Sequence, residues 1–249
     1  MSGFLGSGDL YYDRVVGGVS QGWLRFGNAT KMEIKENAEI KERKSKQKAT
    51  YGQVLDSVAV KEPAELSISL DDLDKDNLAL IFLGDVSTVA ITGASVTTEV
   101  HAAKLDKAFK TDFRKITSVV VTGPSATPTY VLGTDYTIDN AEMGLITPLA
   151  SGGISADELL EVNYTYGTVA ANKVSGGTNS SIKVGLLLDG ENFADQSKVV
   201  VNVWEAVLTP QTGVDFLSYD FTTLELSGTL NTDGVKGNGY EVETDIVYS

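Results

Sequence analysis

The chain has 249 residues, no cysteine, one histidine and a formal net charge of −14. Without cysteine it has no disulfide framework, no thiolate nucleophile and no cysteine-ligated metal. The acidic balance argues against a general grip on nucleic-acid phosphates, which needs basic surface. With 42% apolar residues the chain can bury a substantial core, as one large all-β domain or two modest ones.

The N-terminal segment has neither a positively charged region nor an apolar one, so it predicts no secretory signal. No apolar run approaches the length needed to span a bilayer. We therefore expect a chain that is made and folded in a cytoplasm and that has no membrane partner.

Residues 1–22 are rich in glycine and carry scattered apolar residues, among them Phe4, Leu10 and Tyr12. Such a segment has too few neighbours to bury these side chains by itself. It predicts an N-terminal arm that is disordered in the free chain and becomes ordered when it docks on another surface.

Residues 23–70 predict a long antiparallel hairpin. Apolar and polar residues alternate along both halves, with Met32 and Ile34 on one face of the first half and Leu66 on one face of the second. Between the halves, residues 41–48 hold five positive charges and one negative charge and have no apolar anchor. This run predicts a mobile tip, and long loops of this kind tend to be functional or disordered.

The clearest helix is predicted over residues 72–83. Acidic residues beginning at Asp72 suit the first turn of a helix, Leu78 and Ile81 follow at helical spacing, and Gly84 is a stop signal. We expect this helix to cover one face of a sheet.

Residues 105–181 predict an additional β segment, which ends in a stretch rich in glycine, serine and threonine from 167 to 181. We expect the main β core to be built from residues 23–104 and 182–249.

The last quarter of the chain is strongly acidic. Residues 186–249 contain eleven Asp and Glu against two Lys, a net of −9. A basic tip and a separate acidic surface predict a head-to-tail contact between copies, which builds rings or filaments rather than closed dimers. The predicted contact residues of the tip are Lys41, Arg43, Lys44, Lys46 and Lys48.

Nothing of comparable strength points to catalysis, and we expect no enzymatic activity, no cofactor and no bound metal. His101 is the only histidine, and its alternating surroundings predict a strand residue with a satisfied ring. The sequence has no His-X-X-X-His, Gly-X-Ser-X-Gly or P-loop pattern. Asp135, Asp139 and Glu142 lack the spacing of a calcium-binding loop.

Several segments together resemble one known family. They are the glycine-rich arm, the charged hairpin, a helix ending Leu-Ala-Leu-Ile-Phe-Leu-Gly, the motif Gly185-Leu-Leu-Leu-Asp-Gly-Glu-Asn-Phe-Ala-Asp195, and Asp220-Phe-Thr-Thr-Leu-Glu-Leu-Ser-Gly228. Gly133-Thr-Asp-Tyr-Thr-Ile-Asp139 and Val162-Asn-Tyr-Thr-Tyr166 are similar to a middle segment often found in such chains. This layout resembles the major tail tube protein of long-tailed, siphovirus-type bacteriophages.

The resemblance implies a mainly β subunit, a β-sandwich or barrel with a flanking short α-helix and a long hairpin loop. Subunits of that family form hexameric rings, in which the sheets join into one barrel around a channel. The rings stack into a tube over a tape-measure protein and between tail terminator and tip proteins. The expected location is the virion tail, assembled in the host cytoplasm, with DNA passing through the tube without specific binding. The chain departs from the family in residues 95–170, which are more than a minimal tube subunit needs, so we expect part of the additional segment to face outward as a decoration.

A conduit for DNA should not hold DNA, so its wall should lack basic stripes and aromatic ladders. The polar faces of the hairpin and of the C-terminal strands fit this description and predict the channel lining. The candidates are Glu33, Lys35, Glu39, Glu65, Ser67, Thr223, Glu225 and Ser227.

Two other classes of function stay open on the sequence alone. One is a carbohydrate-binding or adhesive β-sandwich module. The other is an acidic hydrolase on a β scaffold, since any acidic β protein offers paired carboxylates.

Overall fold

The computed structural model describes residues 5–244, and these are mainly β, with 58% of residues in strands and 4% in helices. The elements in chain order are β1 (Gly6–Val16), β2 (Val19–Arg25), β3 (Ala29–Lys44), β4 (Val54–Leu70), α1 (Lys75–Ile81), β5 (Asp85–Ile91), β6 (Ala94–Ala102), β7 (Phe109–Lys110), β8 (Ile116–Thr122), a 3-10 turn (Pro124–Ala126), β9 (Tyr136–Asn140), β10 (Leu145–Pro148), β11 (Leu159–Tyr166), β12 (Val169–Ser175), β13 (Ile182–Asn192), β14 (Ser197–Pro210), β15 (Leu224–Asn231) and β16 (Tyr240–Thr244).

The chain divides into two compact units. The first contains the residues up to Ser87 and those from Val174 onward, and the second is Thr88–Lys173. The chain leaves the first unit within β5 and returns to it within β12, and these two strands pair with each other.

The first unit is built on one antiparallel sheet with the strand order β2-β1-β13-β14-β15-β4-β3, and β16 pairs with β14 beside β15. The sheet is open rather than a closed barrel. The expectation of a mainly β fold with one flanking helix and a long hairpin is confirmed. The strands β2 and β3 form the two ends of the sheet.

One face of this sheet carries the core of the first unit. Alternate residues of a strand lie on the same side of the sheet. The strands β1, β13, β14, β15 and β4 therefore each place apolar side chains on this face. The buried residues include Leu10, Tyr12, Leu66, Ile68, Leu70, Val184, Leu186, Leu208, Leu224 and Leu226. Leu80 and Ile81 of α1 pack into the same cluster.

The helix is shorter than the predicted range of 72–83. Asp74 has extended backbone and its side chain accepts hydrogen bonds from the amides of Asp76 and Asn77, which makes it the N-cap. The helix therefore begins at Lys75 and ends at Ile81.

The expected N-terminal arm is instead a strand of the main sheet. β1 pairs with β13 from Gly6 to Val15, and Leu10 and Tyr12 are buried in the core. A Cβ on Gly8 would lie 2.5 Å from the carbonyl oxygen of Asp189, so this glycine permits close approach of two strands rather than flexibility. Residues 1–4 lie outside the described residues.

The hairpin also differs from the expected one. It joins β3 to β4 from Ala29 onward, while Trp23 belongs to the preceding strand β2. Half of the predicted mobile tip is strand, because residues 41–44 belong to β3, which stays paired with β4 as far as Lys44 and Val54. Only residues 45–53 form the turn.

The second unit has its own core and two three-stranded sheets, β6-β11-β8 and β7-β10-β9. Its buried residues include Ile116, Val121, Ile146, Leu160 and Tyr164. The expected boundaries at 104/105 and 181/182 differ from those observed, since β6 pairs with β11 inside this unit.

Candidate assembly surfaces

Over β3, β4, β15 and the adjoining end of β14, the face of the large sheet opposite the core is polar. Cross-strand pairing places Glu33 opposite Ser67, Lys35 opposite Glu65, and Ser227 between Ser67 and Thr209. We call this surface the polar face. It contains a shallow trough of about 470 Å³, which these side chains line together with Val207 and Thr229.

Five of the eight predicted channel residues, Glu33, Lys35, Glu65, Ser67 and Ser227, line this trough. Glu225 pairs with Ser69 one step along the same face of β15. Glu39 lies farther along β3, opposite Val60, and Thr223 lies just before β15 begins. The structure thus brings six of the eight predicted channel residues onto one surface, and it leaves Glu39 and Thr223 outside that surface.

Two of the three glutamates on the polar face, Glu33 and Glu65, are paired with lysines. The ammonium group of Lys31 lies 2.6 Å from the Glu33 carboxylate, and that of Lys35 lies 3.7 Å from Glu65. The hydrogen bond from Lys31 lowers the pKa of the Glu33 carboxyl. The face therefore presents paired charges and hydroxyls rather than a basic stripe.

A second cluster ties three strands together on this side of the sheet. The carboxylate of Glu205 accepts hydrogen bonds from Lys183 on β13 at 2.9 Å and from Asn231 on β15 at 2.6 Å. These two bonds lower the pKa of the Glu205 carboxyl. Glu205 lies where the pairing of β13 with β14 shifts register.

Beyond the sheet, β3 and β4 continue as a two-stranded ribbon, which we define as residues 36–62. Its pairs Glu39–Val60, Ile40–Ala59 and Lys41–Val58 lie outside the reach of the other strands. Apolar residues are exposed along it without a covering layer, and they are Ile40, Tyr51, Val54, Leu55, Val58 and Val60.

The predicted contact residues at the tip fall into two groups. Lys41 and Lys44 lie on β3 and pair with Glu39 and Glu42 at 3.4 and 3.3 Å. Arg43 on β3 is opposite Asp56. Lys46 and Lys48 are exposed in the turn and make no ion pair among the described residues.

The turn itself is well defined. Ser45 is buried, and its amide donates to the carbonyl of Gln53 while its hydroxyl bonds to that of Thr50 at 2.7 Å. The turn therefore holds Lys46 and Lys48 on an ordered support.

Sequence reasoning missed one exposed segment, residues 211–223 between β14 and β15, which we call the aromatic loop. It contains Phe216, Leu217, Tyr219 and Phe221, all exposed. The run Phe-Leu-Ser-Tyr-Asp-Phe could have indicated an exposed aromatic surface. The mixture of apolar and polar residues in this run is equally typical of a strand.

His101 has the satisfied ring that its strand position predicts. Its Nε2 lies 2.6 Å from a carboxylate oxygen of Glu99, and the ring stacks on Phe109 at 4.4 Å. Glu99 also accepts hydrogen bonds from Tyr164 and from the amide of Asp112. Within residues 5–244 no three His, Asp or Glu side chains are grouped so that they could hold a metal ion.

The helix found in residues 5–244 is too short and too polar to cross a bilayer. No curated protein matches the sequence. A family model does match, over residues 3–242, which is nearly the whole chain. The chain therefore belongs to the family described as protein of unknown function UCP028589.

Proposed function

We propose that this chain is the structural subunit of a bacteriophage tail tube, with no enzymatic role. Copies would form hexameric rings that stack around a channel for DNA. The observation that carries the proposal is the large sheet of the first unit, which has one apolar core face, one polar face and two open ends. The layout of the sequence, which resembles such tube proteins, supports it.

The open ends supply the reason for ring formation. β2 and β3 each have a neighbour on one side only within the described sheet. An exposed edge strand is a template for pairing with another chain. If β2 of one copy adds to β3 of the next, the sheets continue around a ring and the closed barrel has no edge.

The polar face is suited to line the channel. It carries hydroxyls and mutually paired charges, such as Lys35 with Glu65, and its trough has no aromatic side chain. Such a wall neither binds phosphates strongly nor stacks on bases. A polyanion would therefore pass it without being held.

The ribbon supplies contacts between rings. A two-stranded hairpin alone is marginally stable in water, and this one exposes Ile40, Leu55 and Val58. Burial of these side chains against a neighbouring copy would stabilise both the ribbon and the stack. A tape-measure protein inside the tube and terminator and tip proteins at its ends are the further partners in this proposal, and the virion tail is the location.

The test is the particle that the purified chain forms, observed by sedimentation and negative-stain electron microscopy. We expect rings or tubes. In a matched variant, residues 38–61 are replaced by an Asn-Gly turn, which suits a two-residue hairpin and closes on the observed Asn37–Glu62 pair, so the register of Lys35 opposite Glu65 is kept. This variant should stay folded and lose the tubes. A wild-type chain that remains monomeric at millimolar concentration would contradict the proposal.

A further inference from the structure

The aromatic loop is the most exposed apolar segment of the first unit. Leu217 is 88% exposed, Tyr219 106% and Phe221 100%. Single exposed apolar residues are ordinary, whereas clusters of this kind mark interaction sites. These three side chains lie within five consecutive residues, so the loop needs a partner.

The loop lies at one end of the large sheet, where β4 ends. Leu224, the first residue of β15, pairs with Leu70, the last residue of β4. The chain leaves the sheet there as the aromatic loop on one strand and as Asp71 and Asp72 on the other. The ring of Phe216 lies 6.2 Å from that of Phe82, next to the end of α1.

This end of the sheet is acidic as well as apolar. Asp215 and Asp220 belong to the aromatic loop and are exposed. Asp72 is exposed just after β4, as is Leu73. We call the aromatic loop together with Asp71, Asp72 and Leu73 the acidic–aromatic end.

The other end of β4 carries the opposite chemistry. There the turn 45–53 presents Lys46 and Lys48, with Arg43 beside it on β3, and Tyr51 is 76% exposed. A cationic and aromatic tip is therefore complementary to an acidic and aromatic surface.

The two surfaces cannot meet within one chain. They lie at opposite ends of β4, a strand of 17 residues, which at 3.2–3.4 Å per residue spans roughly 50 Å. A contact between them joins two copies through different patches, and such a contact builds a ring or an open filament rather than a closed dimer.

We propose that the acidic–aromatic end of one copy is the docking site for the ribbon turn of a second copy in the next ring. This inference rests on the proposed function and names the acceptor surface within it. The sequence predicts only that the acidic contact surface lies within residues 186–249. The structure assigns this contact to the aromatic loop within that range, together with Asp71 and Asp72, which lie outside it.

The absence of native cysteine permits a direct test by disulfide trapping in the full-length chain. Lys46→Cys and Tyr219→Cys are combined in one chain, and assembled particles are oxidised. Because each copy then carries one cysteine on the ribbon turn and one on the acidic–aromatic end, we expect a ladder of covalent oligomers on a non-reducing gel. Each single variant should give no more than dimers.

A matched control combines Lys46→Cys with Val235→Cys, since Val235 is 97% exposed but lies on a different loop, between β15 and β16. It should give no ladder. If it gives the same ladder, or if the Lys46–Tyr219 pair gives only dimers while wild-type particles form, the docking site is wrong and the proposed function stands. If no particles form at all, the proposed function fails as well.

Exchange of the charges between the two surfaces tests the same contact without introduced cysteines or oxidation. Reversal of Arg43, Lys46 and Lys48 to Glu, or of Asp72, Asp215 and Asp220 to Lys, should slow assembly at least about tenfold, as loss of electrostatic steering does. A chain that carries both sets should recover most of the rate, provided that circular dichroism shows all three variants folded. Failure of the double set to recover would overturn the pairing of these two surfaces.

Discussion

Gly228 lies at a crowded point where β15 pairs with β14, opposite Leu208. A Cβ at this position would lie 2.7 Å from the carbonyl oxygen of Val207 and 2.9 Å from a methyl group of Leu208. Because the first of these atoms belongs to the backbone, Gly228→Ala must shift a strand. We expect the free energy of unfolding to fall by about 1–3 kcal/mol, the usual cost of overpacking.

The matched control is Gly234→Ala, where a Cβ would meet nothing within 4 Å. Both variants reduce the freedom of the unfolded chain equally, so the difference between them reports the native clash. Urea unfolding measures both values. Equal stabilities for the two variants would show that β14 and β15 have room at Gly228.

The Glu205 carboxylate predicts a pH dependence of stability. Its hydrogen bonds from Lys183 and Asn231 lower its pKa from 4.5, so the native chain favours the ionised form. The resulting stabilisation is present above the pKa of the unfolded chain and is lost as pH falls through the lower native pKa.

We expect Glu205→Gln to have a lower Tm than the wild type near neutral pH, by about 1–3 °C, because half-exposed pairs contribute little. The difference should shrink as the pH falls below the ordinary pKa of a glutamate carboxyl and through the lower pKa of Glu205 in the native chain. Thermal melts at several pH values check this. A Tm difference that stays constant down to low pH would assign the effect to packing instead of charge.

At the scale of elements, the strand β1 shows where sequence reasoning fails. The glycines of residues 1–22 indicated flexibility, yet Gly8 permits the close approach of β1 to β13 and Leu10 is buried. A single sequence does not show which strand lies beside which, so a glycine that allows close contact looks like one that allows motion.

Deletion of residues 2–12 should therefore destabilise the isolated chain. It removes Leu10 and Tyr12 from the core and exposes the apolar residues of β13 that they cover. Loss of one large core side chain alone costs about 2–5 kcal/mol, so we expect a strongly lowered Tm or failure to fold. Deletion of residues 2–4 alone is the control. An unchanged Tm after the longer deletion would restore the view of this segment as a dispensable arm.

The elements with regular alternation were the predictable ones. Met32, Ile34, Leu66 and Leu226 all lie on the core face, as period two requires. The same alternation placed Glu33, Glu65 and Ser227 on one polar surface before any pairing was known. The trough and the acidic–aromatic end were not predictable, because each depends on which strands are neighbours and on what the fold leaves uncovered.

At the scale of the whole molecule, the two units have separate hydrophobic clusters that share no residue. The chain enters and leaves the second unit through β5 and β12, which pair side by side. Its ends are thus close together, as in domains that are inserted into loops.

We expect that replacement of residues 88–173 by a short glycine-rich linker leaves the first unit folded. If the second unit is a decoration, the shortened chain should also assemble with unchanged critical concentration. The isolated segment 88–173 should melt cooperatively, since it has its own core. Sedimentation of the shortened chain measures assembly, and its loss with folding intact would show that the second unit contributes contacts between subunits.

The polar face of the assembled particle provides the test of DNA passage. Glu33, Glu65 and Glu225 lie on this face and away from the core, so their change to Lys should leave folding and tube formation intact. Each ring would then gain a band of positive charge on the proposed channel wall. Because cationic side chains bind phosphates and release counterions, we expect DNA passage to slow and infectivity to fall, with an effect that weakens as salt is raised.

The control variant changes the exposed Glu142 of the second unit to Lys, and normal infectivity is expected from it if that unit faces outward. Normal infectivity of the triple Lys variant would contradict a channel role for the polar face. So would labelling of those three lysines, on intact tubes, by an amine reagent too large to enter the lumen. If the polar face is ordinary outer surface, we expect both normal infectivity and labelling of the three lysines. If the polar face lines the channel, we expect neither result, so the two measurements distinguish the two locations.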